Sequence, residues 1–371
     1  MLYSRKPSRI LSIASSLIAL GASQAFAQIT PERSYFGIDR AVPMAVRLPA
    51  GADAAAILLL DPDGTEQARV DVTKGRVDLA AMFPQLWQSD EHHLMYAQLE
   101  VDGEQFAPPV VLQPMLTPEY AYPMNPGTLE AQIPPRRATP MYQNQIMQEL
   151  ARQQGISVPP QTPVYSGLRT WVDQYVVVDT SMGEMEFRLR PDMAPNTCWN
   201  YLLLVRGGFY TDIIFHRVVA KASNGFPFVI QVGDPTGTGS GGPGYFIDLE
   251  PTQLKHDFGV LSMARSGEPN SNGSQVFVCL SREGTAFLDG NYTAFAEAVR
   301  GGDVIRALAG VPVGPGDRPL DPPVLKSAHL VDAPPRSMAP KALSEEPGGS
   351  PEGDATKPAG TKPAGTEADG G

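Results

Sequence analysis

Two polar side chains stand where apolar ones are expected. Arg217 lies in Phe215-His216-Arg217-Val218-Val219, and Gln231 lies in Phe228-Val229-Ile230-Gln231-Val232-Gly233-Asp234. Both runs are aromatic and β-branched, the composition of buried strands. An arginine there needs a partner or a task, because burying its charge unpaired is costly. The neighbouring residues supply no nucleophile-and-base pair. His216 is adjacent to Arg217 and points to the opposite face of the strand, which marks it as structural. The two cysteines, Cys198 and Cys279, make neither a disulfide framework nor a zinc site and read as buried, unpaired thiols. What remains is a planar cationic donor with an amide nearby and aromatic walls. No metal-ligand cluster and no phosphate-binding loop stands beside them, so no metal and no cofactor is expected.

An answering segment reads Leu261-Ser262-Met263-Ala264-Arg265, continued by Asn272-Gly273-Ser274-Gln275-Val276-Phe277. Gly239-Ser240-Gly241-Gly242 lies before it and Phe287-Leu288-Asp289-Gly290 after it. In that order and spacing, over about residues 174–332, these segments resemble the cyclophilin family of peptidyl-prolyl cis–trans isomerases. The resemblance implies an eight-stranded antiparallel β-barrel capped by two helices, with the binding groove on its outer face because side chains fill the interior.

The resemblance also implies roles. Arg217 matches the catalytic arginine and Gln231 the glutamine that bonds the substrate backbone and orients it. Phe228, Val229, Phe277 and Leu288 match the pocket for the proline ring. Ala264, Arg265 and Ser266 match the strand that pairs with the peptide, and Gly239 and Gln275 line the adjoining groove. Several positions depart from the family pattern. Val229 replaces a methionine, Phe287 a tryptophan and Tyr292 a histidine, and the lost indole donor implies weak inhibition by cyclosporin. About five or six extra residues within 220–227, and one near Glu268, enlarge the rims and are expected to set which peptides enter.

The elements that position these residues can be read from the surrounding sequence. A hairpin is expected over 176–190 around Ser181-Met182-Gly183. A helix is expected over Pro195–Arg206, with Pro195 in its first turn and Gly207-Gly208 closing it. Trp199, Leu202 and Leu203 are its expected apolar face, and a second helix is expected near 302–310.

Upstream, residues 28–116 read as a small all-β, sandwich-like domain. Strand candidates at 42–48, 57–60, 68–72, 76–79, 94–101 and 110–112 are separated by turns such as Asp61-Pro62-Asp63-Gly64 and Asp102-Gly103. His92-His93 reads as a solvated turn. Residues 117–169 are proline-rich and read as a linker with one short helix over 141–154. The isomerase-like domain is expected over 170–333, and 334–371 as a disordered low-complexity tail with the repeat Thr-Lys-Pro-Ala-Gly.

Residues 1–27 carry a basic head (Arg5, Lys6, Arg9), an apolar run and Ala25-Phe26-Ala27, the pattern of a cleaved signal peptide. Export to a periplasm or cell envelope, or secretion, is expected, with membrane attachment only if that segment stays uncleaved. The net charge of −11 and the lack of a basic patch argue against a nucleic-acid partner. The expected partners are proline-containing polypeptides. The leading expectation is an exported isomerase; the alternatives are a proline-peptide-binding module with little turnover and an envelope scaffold.

Overall fold

The computed structural model describes residues 28–88, 92–116 and 165–344. The expected signal peptide and linker helix lie outside the described residues. The chain divides into two compact units, each built from more than one segment of sequence.

Among the described residues, the first unit is all-β apart from two single-turn helices and a short 3-10 turn. Its strands are β1 (Gln28–Pro31), β2 (Tyr35–Gly37), β3 (Pro43–Arg47), β4 (Ala55–Leu60), β5 (Glu66–Asp71), β6 (Gly75–Asp78), β7 (Met95–Val101), β8 (Glu104–Leu116) and β9 (Tyr165–Val172). They form one sheet in the order β1-β3-β6 and another in the order β2-β9-β8-β7-β4-β5. Ile29, Met44 and Val46 of the smaller sheet share one core with Ile57, Leu59, Leu99, Val110 and Leu112 of the larger, which is the expected sandwich.

Two boundaries differ from expectation. Residues Tyr165–Val172, read as the end of the linker and the start of the second domain, pair with β8 along their length, so the units divide between Asp173 and Gln174. Pro334–Met338, read as tail, also belongs to the first unit. There the Arg336 guanidinium lies 4.1 Å from the Tyr96 ring centroid, and the Arg336 N–H donates to Gln98 Oε1 at 3.0 Å. A low-complexity composition hides such anchors, because one cation over one ring and a few backbone bonds leave no periodic pattern.

The second unit holds β10 (Gln174–Thr180), β11 (Gly183–Leu189), β12 (Thr211–Ile214), β13 (Arg217–Val219), β14 (Val229–Val232), β15 (Val260–Met263), β16 (Val276–Cys279), β17 (Ala294–Arg300) and β18 (Val324–Asp332). They form one antiparallel sheet in the order β12-β18-β10-β11-β17-β15-β16-β14-β13. Its two edge strands are sequence neighbours joined by Phe215-His216, so the sheet curls back on itself as a barrel does. Nine strand segments stand where eight were expected.

The two expected helices are Pro195–Arg206 and Gly302–Ala309. The buried face of the first is Cys198, Tyr201, Leu202 and Val205, an i, i+3, i+4, i+7 stripe. Leu203, expected on that face, is exposed, and Trp199 is only half-buried. Both cysteines are buried and neither is in a disulfide; the Cys198 thiol donates to the Phe295 carbonyl at 3.4 Å.

Candidate active site

Strand register builds the site. Arg217 pairs with Gln231, Gln231 with Phe277, and Phe277 with Ser262, so these four stand in one row across β13, β14, β16 and β15. The next row, Val218, Ile230, Val278 and Leu261, points the other way and is wholly buried. A strand that is apolar on one face and carries arginine, glutamine and phenylalanine on the other is how one sheet serves both a core and a groove.

The apolar part of the groove is compact. Val229, Phe277 and Leu288 share a buried cluster with Val219, Leu254 and Cys279, and Phe228, Ala264 and Tyr292 pack on it half-buried. The Phe228 and Phe287 rings stack at 5.6 Å and 18°. Phe287 is nevertheless 62% exposed and forms the outer rim. Behind Phe277 lies the buried His256 ring, with Nε2 3.0 Å from Ser262 Oγ and Nδ1 3.0 Å from Asp289 Oδ1. Burial pushes the His256 pKa down against the pull of Asp289. Burial alone would raise Asp289, yet hydrogen bonds from Arg282 and His256 hold its carboxyl well below the usual range. Asp289 follows the turn Ala286–Leu288, so this bonding fixes the wall that carries Phe287 and Leu288.

The polar part is a directed chain. Gln275 Nε2 donates to the carbonyls of Gly239 at 3.0 Å and Gly241 at 2.9 Å. Its Oε1 therefore turns to Gln231 and accepts from Nε2 at 2.9 Å. The Gln231 Oε1 is then aimed at Arg217, whose Nη1 donates to it at 3.5 Å. Asp234, with 0% exposure, folds the glycine loop that starts the chain. It accepts from the Thr236 N–H and hydroxyl, both at 2.7 Å, and from the Gly239 N–H at 2.6 Å. Burial would raise its pKa, but these bonds hold it well below the usual carboxylate range. Gly241 is required here: a Cβ would sit 2.0 Å from Asp234 Oδ1. His216 is buried beneath the same loop, against Gly239, and burial lowers its pKa.

Arg217 is held on a second side. Its Nη2 lies 3.5 Å from Asp317 Oδ2, and the two side chains are 40% and 44% exposed. Both of its contacts are long, so the guanidinium is placed without being enclosed.

Ala264, Arg265 and Ser266 follow β15 rather than extend it. The Ala264 N–H donates to the Gln275 carbonyl at 2.9 Å and the Ser266 N–H to Ser271 Oγ at 3.0 Å. Arg265 folds its guanidinium over Tyr292 at 4.3 Å and donates to the Asn291 carbonyl. With Gln231, Gly239 and Gln275 these residues line a groove of about 690 Å³ that also includes Tyr245 and Phe246.

This geometry fits what the comparisons find. Residues 175–330 match the family described as cyclophilin type peptidyl-prolyl cis-trans isomerase/CLD. A peptidyl-prolyl cis-trans isomerase-like 1 of Emericella nidulans is 39% identical over 163 residues, covering 43% of this chain and 95% of that protein. The chain belongs to the cyclophilin family. A peptidyl-prolyl cis-trans isomerase of Arabidopsis thaliana is likewise 39% identical, with 42% of this chain and 93% of that protein covered. A crystal structure of a Cryptosporidium parvum cyclophilin-type isomerase, in the presence of an Ala-Pro dipeptide, is 35% identical, covering 43% of this chain and 99% of that one at a TM-score of 0.39.

Against the cyclophilin pattern, the insert within 220–227 is an ordered turn. Ala222 and Phe226 pair through the backbone at 2.9 Å, and the Pro227 carbonyl accepts from Ser281 Oγ at 2.7 Å. Gly284 lets it approach, since a Cβ there would overlap the Pro227 carbonyl. The insert thus docks on the turn that leads to Phe287, and it presents Phe226 to solvent.

The sequence reading missed Asp317, Asp234 and the His256–Asp289 pair. Asp234 had a local signal: an aspartate heading a Thr- and Gly-rich turn is a loop organiser. Asp317 had none, as it lies 100 residues from its partner. His92 and His93 go to different partners, His92 stacking on Tyr165 and His93 reaching Asp61.

Proposed function

We propose that the domain over residues 174–333 accelerates rotation about X–Pro bonds in exported polypeptides, with Arg217 as the catalytic donor. The observation that carries this reading is the half-exposed Arg217 guanidinium, held by long contacts at the rim of the Phe228–Val229–Phe277–Leu288 pocket.

Rotation about a peptide C–N bond is opposed by roughly 18–20 kcal/mol, because the nitrogen lone pair is delocalised onto the carbonyl. At X–Pro the isomers differ by only about 0.5–1 kcal/mol, yet they exchange over tens to hundreds of seconds. Catalysis therefore needs a grip on the ring, a carbonyl free to swing and a preference for the twisted amide. The apolar cluster grips the ring. In the twisted state the prolyl nitrogen recovers its lone pair, and a guanidinium N–H donates to it. That bond strengthens only as conjugation is lost, so it lowers the barrier rather than merely tightening binding. Gln231, its amide direction set through Gln275, bonds the substrate backbone and keeps the fork aligned.

The basic, then apolar, then small-residue pattern of residues 1–27 supports export, so the clients are proline-containing segments of proteins folding in a periplasm or envelope, or outside the cell. N-terminal sequencing of the mature protein, expected to begin at Gln28, checks this; an intact Met1 contradicts it.

The activity is tested by a protease-coupled assay on an Ala-Pro peptide. The wild type accelerates cis–trans exchange and Arg217→Ala does not. A wild type that fails to accelerate it, while still binding the peptide, leaves a proline-peptide-binding module, a role to which the exposed Phe226 and Phe287 are also suited.

A further inference from the structure

We propose that Asp317 is a positioning residue for Arg217, its carboxylate holding the edge of the guanidinium opposite Gln231 and so fixing the direction of the catalytic donor; this rests on the reading of Arg217 given above.

Arg217 is gripped by two groups on different nitrogens. Nη1 goes to Gln231 Oε1 and Nη2 to Asp317 Oδ2, each at 3.5 Å. Gln231 alone would leave the planar fork free to swing about a single contact. A second acceptor on the other nitrogen removes that freedom and leaves further N–H groups of the five-donor fork for a substrate.

Asp317 is itself well placed to hold something still. It lies at the tip of a short hairpin, closed by the Val313–Pro319 bridge and by the Gly314 N–H donating to the Arg318 carbonyl at 2.8 Å. The hairpin is tied down by Arg318, whose Nη1 donates to the Gly237 carbonyl at 2.7 Å. Gly237 belongs to the loop that Asp234 organises, so both arms that hold Arg217 trace back to the same rigid segment. At the tip, Gly316 and Asp317 have φ of 71° and 60°. Of the residues that tolerate a left-handed backbone, glycine, asparagine and aspartate, only aspartate brings a negative charge.

A carboxylate that enclosed the guanidinium would quench it. At 3.5 Å, with both partners more than a third exposed, the pair is screened and weak. It suffices to orient the arginine and leaves its charge available. Asp317 therefore acts on the turnover step, through the direction of the donor, and leaves peptide affinity to the apolar pocket.

The test is Asp317→Asn, which keeps the side-chain volume and the tolerance for the left-handed backbone. In exchange spectroscopy on an Ala-Pro peptide, the turnover rate should fall about threefold to fivefold, with the peptide dissociation constant unchanged. Raising salt toward 1 M, where screening acts over about 3 Å, should bring the wild-type rate down toward that of Asp317→Asn and leave the variant's rate in place. In an Arg217→Ala background Asp317→Asn should cost nothing further. Equal wild-type and Asp317→Asn rates, or the same fractional loss with and without Arg217, overturn the role of Asp317 while Arg217 keeps its own. An Arg217→Ala protein as fast as wild type overturns both.

Discussion

Each unit of this chain places a glutamine in a β-sheet with an arginine beside it, and the two pairs are satisfied to opposite degrees. In the first unit Gln98 is fully buried with both ends of its amide engaged: Nε2 serves the carbonyls of Leu99, Phe106 and Ala107, and Oε1 accepts from the Arg336 N–H. The Arg336 guanidinium lies over the Tyr96 ring. In the second unit Gln231 is half-buried, Arg217 is 40% exposed, and both contacts of the guanidinium are 3.5 Å long. The first arrangement is a staple that ties a chain segment to a sheet. The second, in the role proposed for it, is a site, because its donors are aimed but not consumed. Residue type does not distinguish staple from site; the degree of satisfaction does.

The contrast can be broken first at Arg217. Arg217→Lys keeps the charge and loses the planar fork. The rate on an Ala-Pro peptide should fall about 10²-fold, the scale of losing one transition-state donor, while the melting temperature of the domain stays put. A lysine variant of nearly wild-type rate would show that charge alone suffices. Next in size is Gln275→Ala, which removes the group that sets the Gln231 amide. Losing one such hydrogen bond, about 1 kcal/mol, predicts a kcat/KM several-fold lower on an Ala-Pro peptide.

The converse experiment is Gln98→Ala. Two amide N–H groups shared among three carbonyls are lost and the Arg336 N–H loses its acceptor, and a buried unsatisfied group costs about 1–3 kcal/mol. Chemical denaturation should show the first unit destabilised by about that amount, with isomerase turnover untouched. A fall in turnover would mean that the staple and the site are coupled.

Acid sharpens the comparison more gently. His216 and His256 have pKa values lowered by burial, so the unfolded chain binds protons that the folded one refuses. Their contribution is complete above the unfolded value, about 6.5, and is lost as pH falls through the lower folded values. Asp234 and Asp289 add a second loss. Their contribution is complete above about 3.9 and disappears as pH falls through the depressed folded values. Denaturant titrations of the isomerase unit should show stability flat from about pH 6.5 to about pH 8 and declining below that window, most gently at first. His256→Gln should flatten the first decline.

Much of the second unit was legible in its sequence because its signals are local. Period-two alternation, Pro195 at a helix start and Gly207 at its end are physical consequences of neighbouring residues. The row Arg217–Gln231–Phe277 was legible through its motif segments. What was hidden depends on distant pairing. Tyr165–Val172 reads as a strand only once β8 offers its edge, and after a proline-rich stretch it looks like linker. Arg336 finds Tyr96 across the whole isomerase domain in sequence. Asp317 meets Arg217 only because a hairpin far along the chain is clamped to the glycine loop. The misjudged helix face has a local cause: Trp199 and Leu203 are large and apolar, and size outweighed the stripe through the smaller Cys198 and Val205.

The central claim is that Arg217 turns the bound proline rather than merely holding it. The direct measurement is two-dimensional exchange spectroscopy of an Ala-Pro peptide with wild-type protein and with Arg217→Ala, each at the same bound fraction. The account predicts cis–trans cross-peaks that build up rapidly with wild type and fall to the uncatalysed rate with Arg217→Ala. Equal build-up in the two proteins would contradict it.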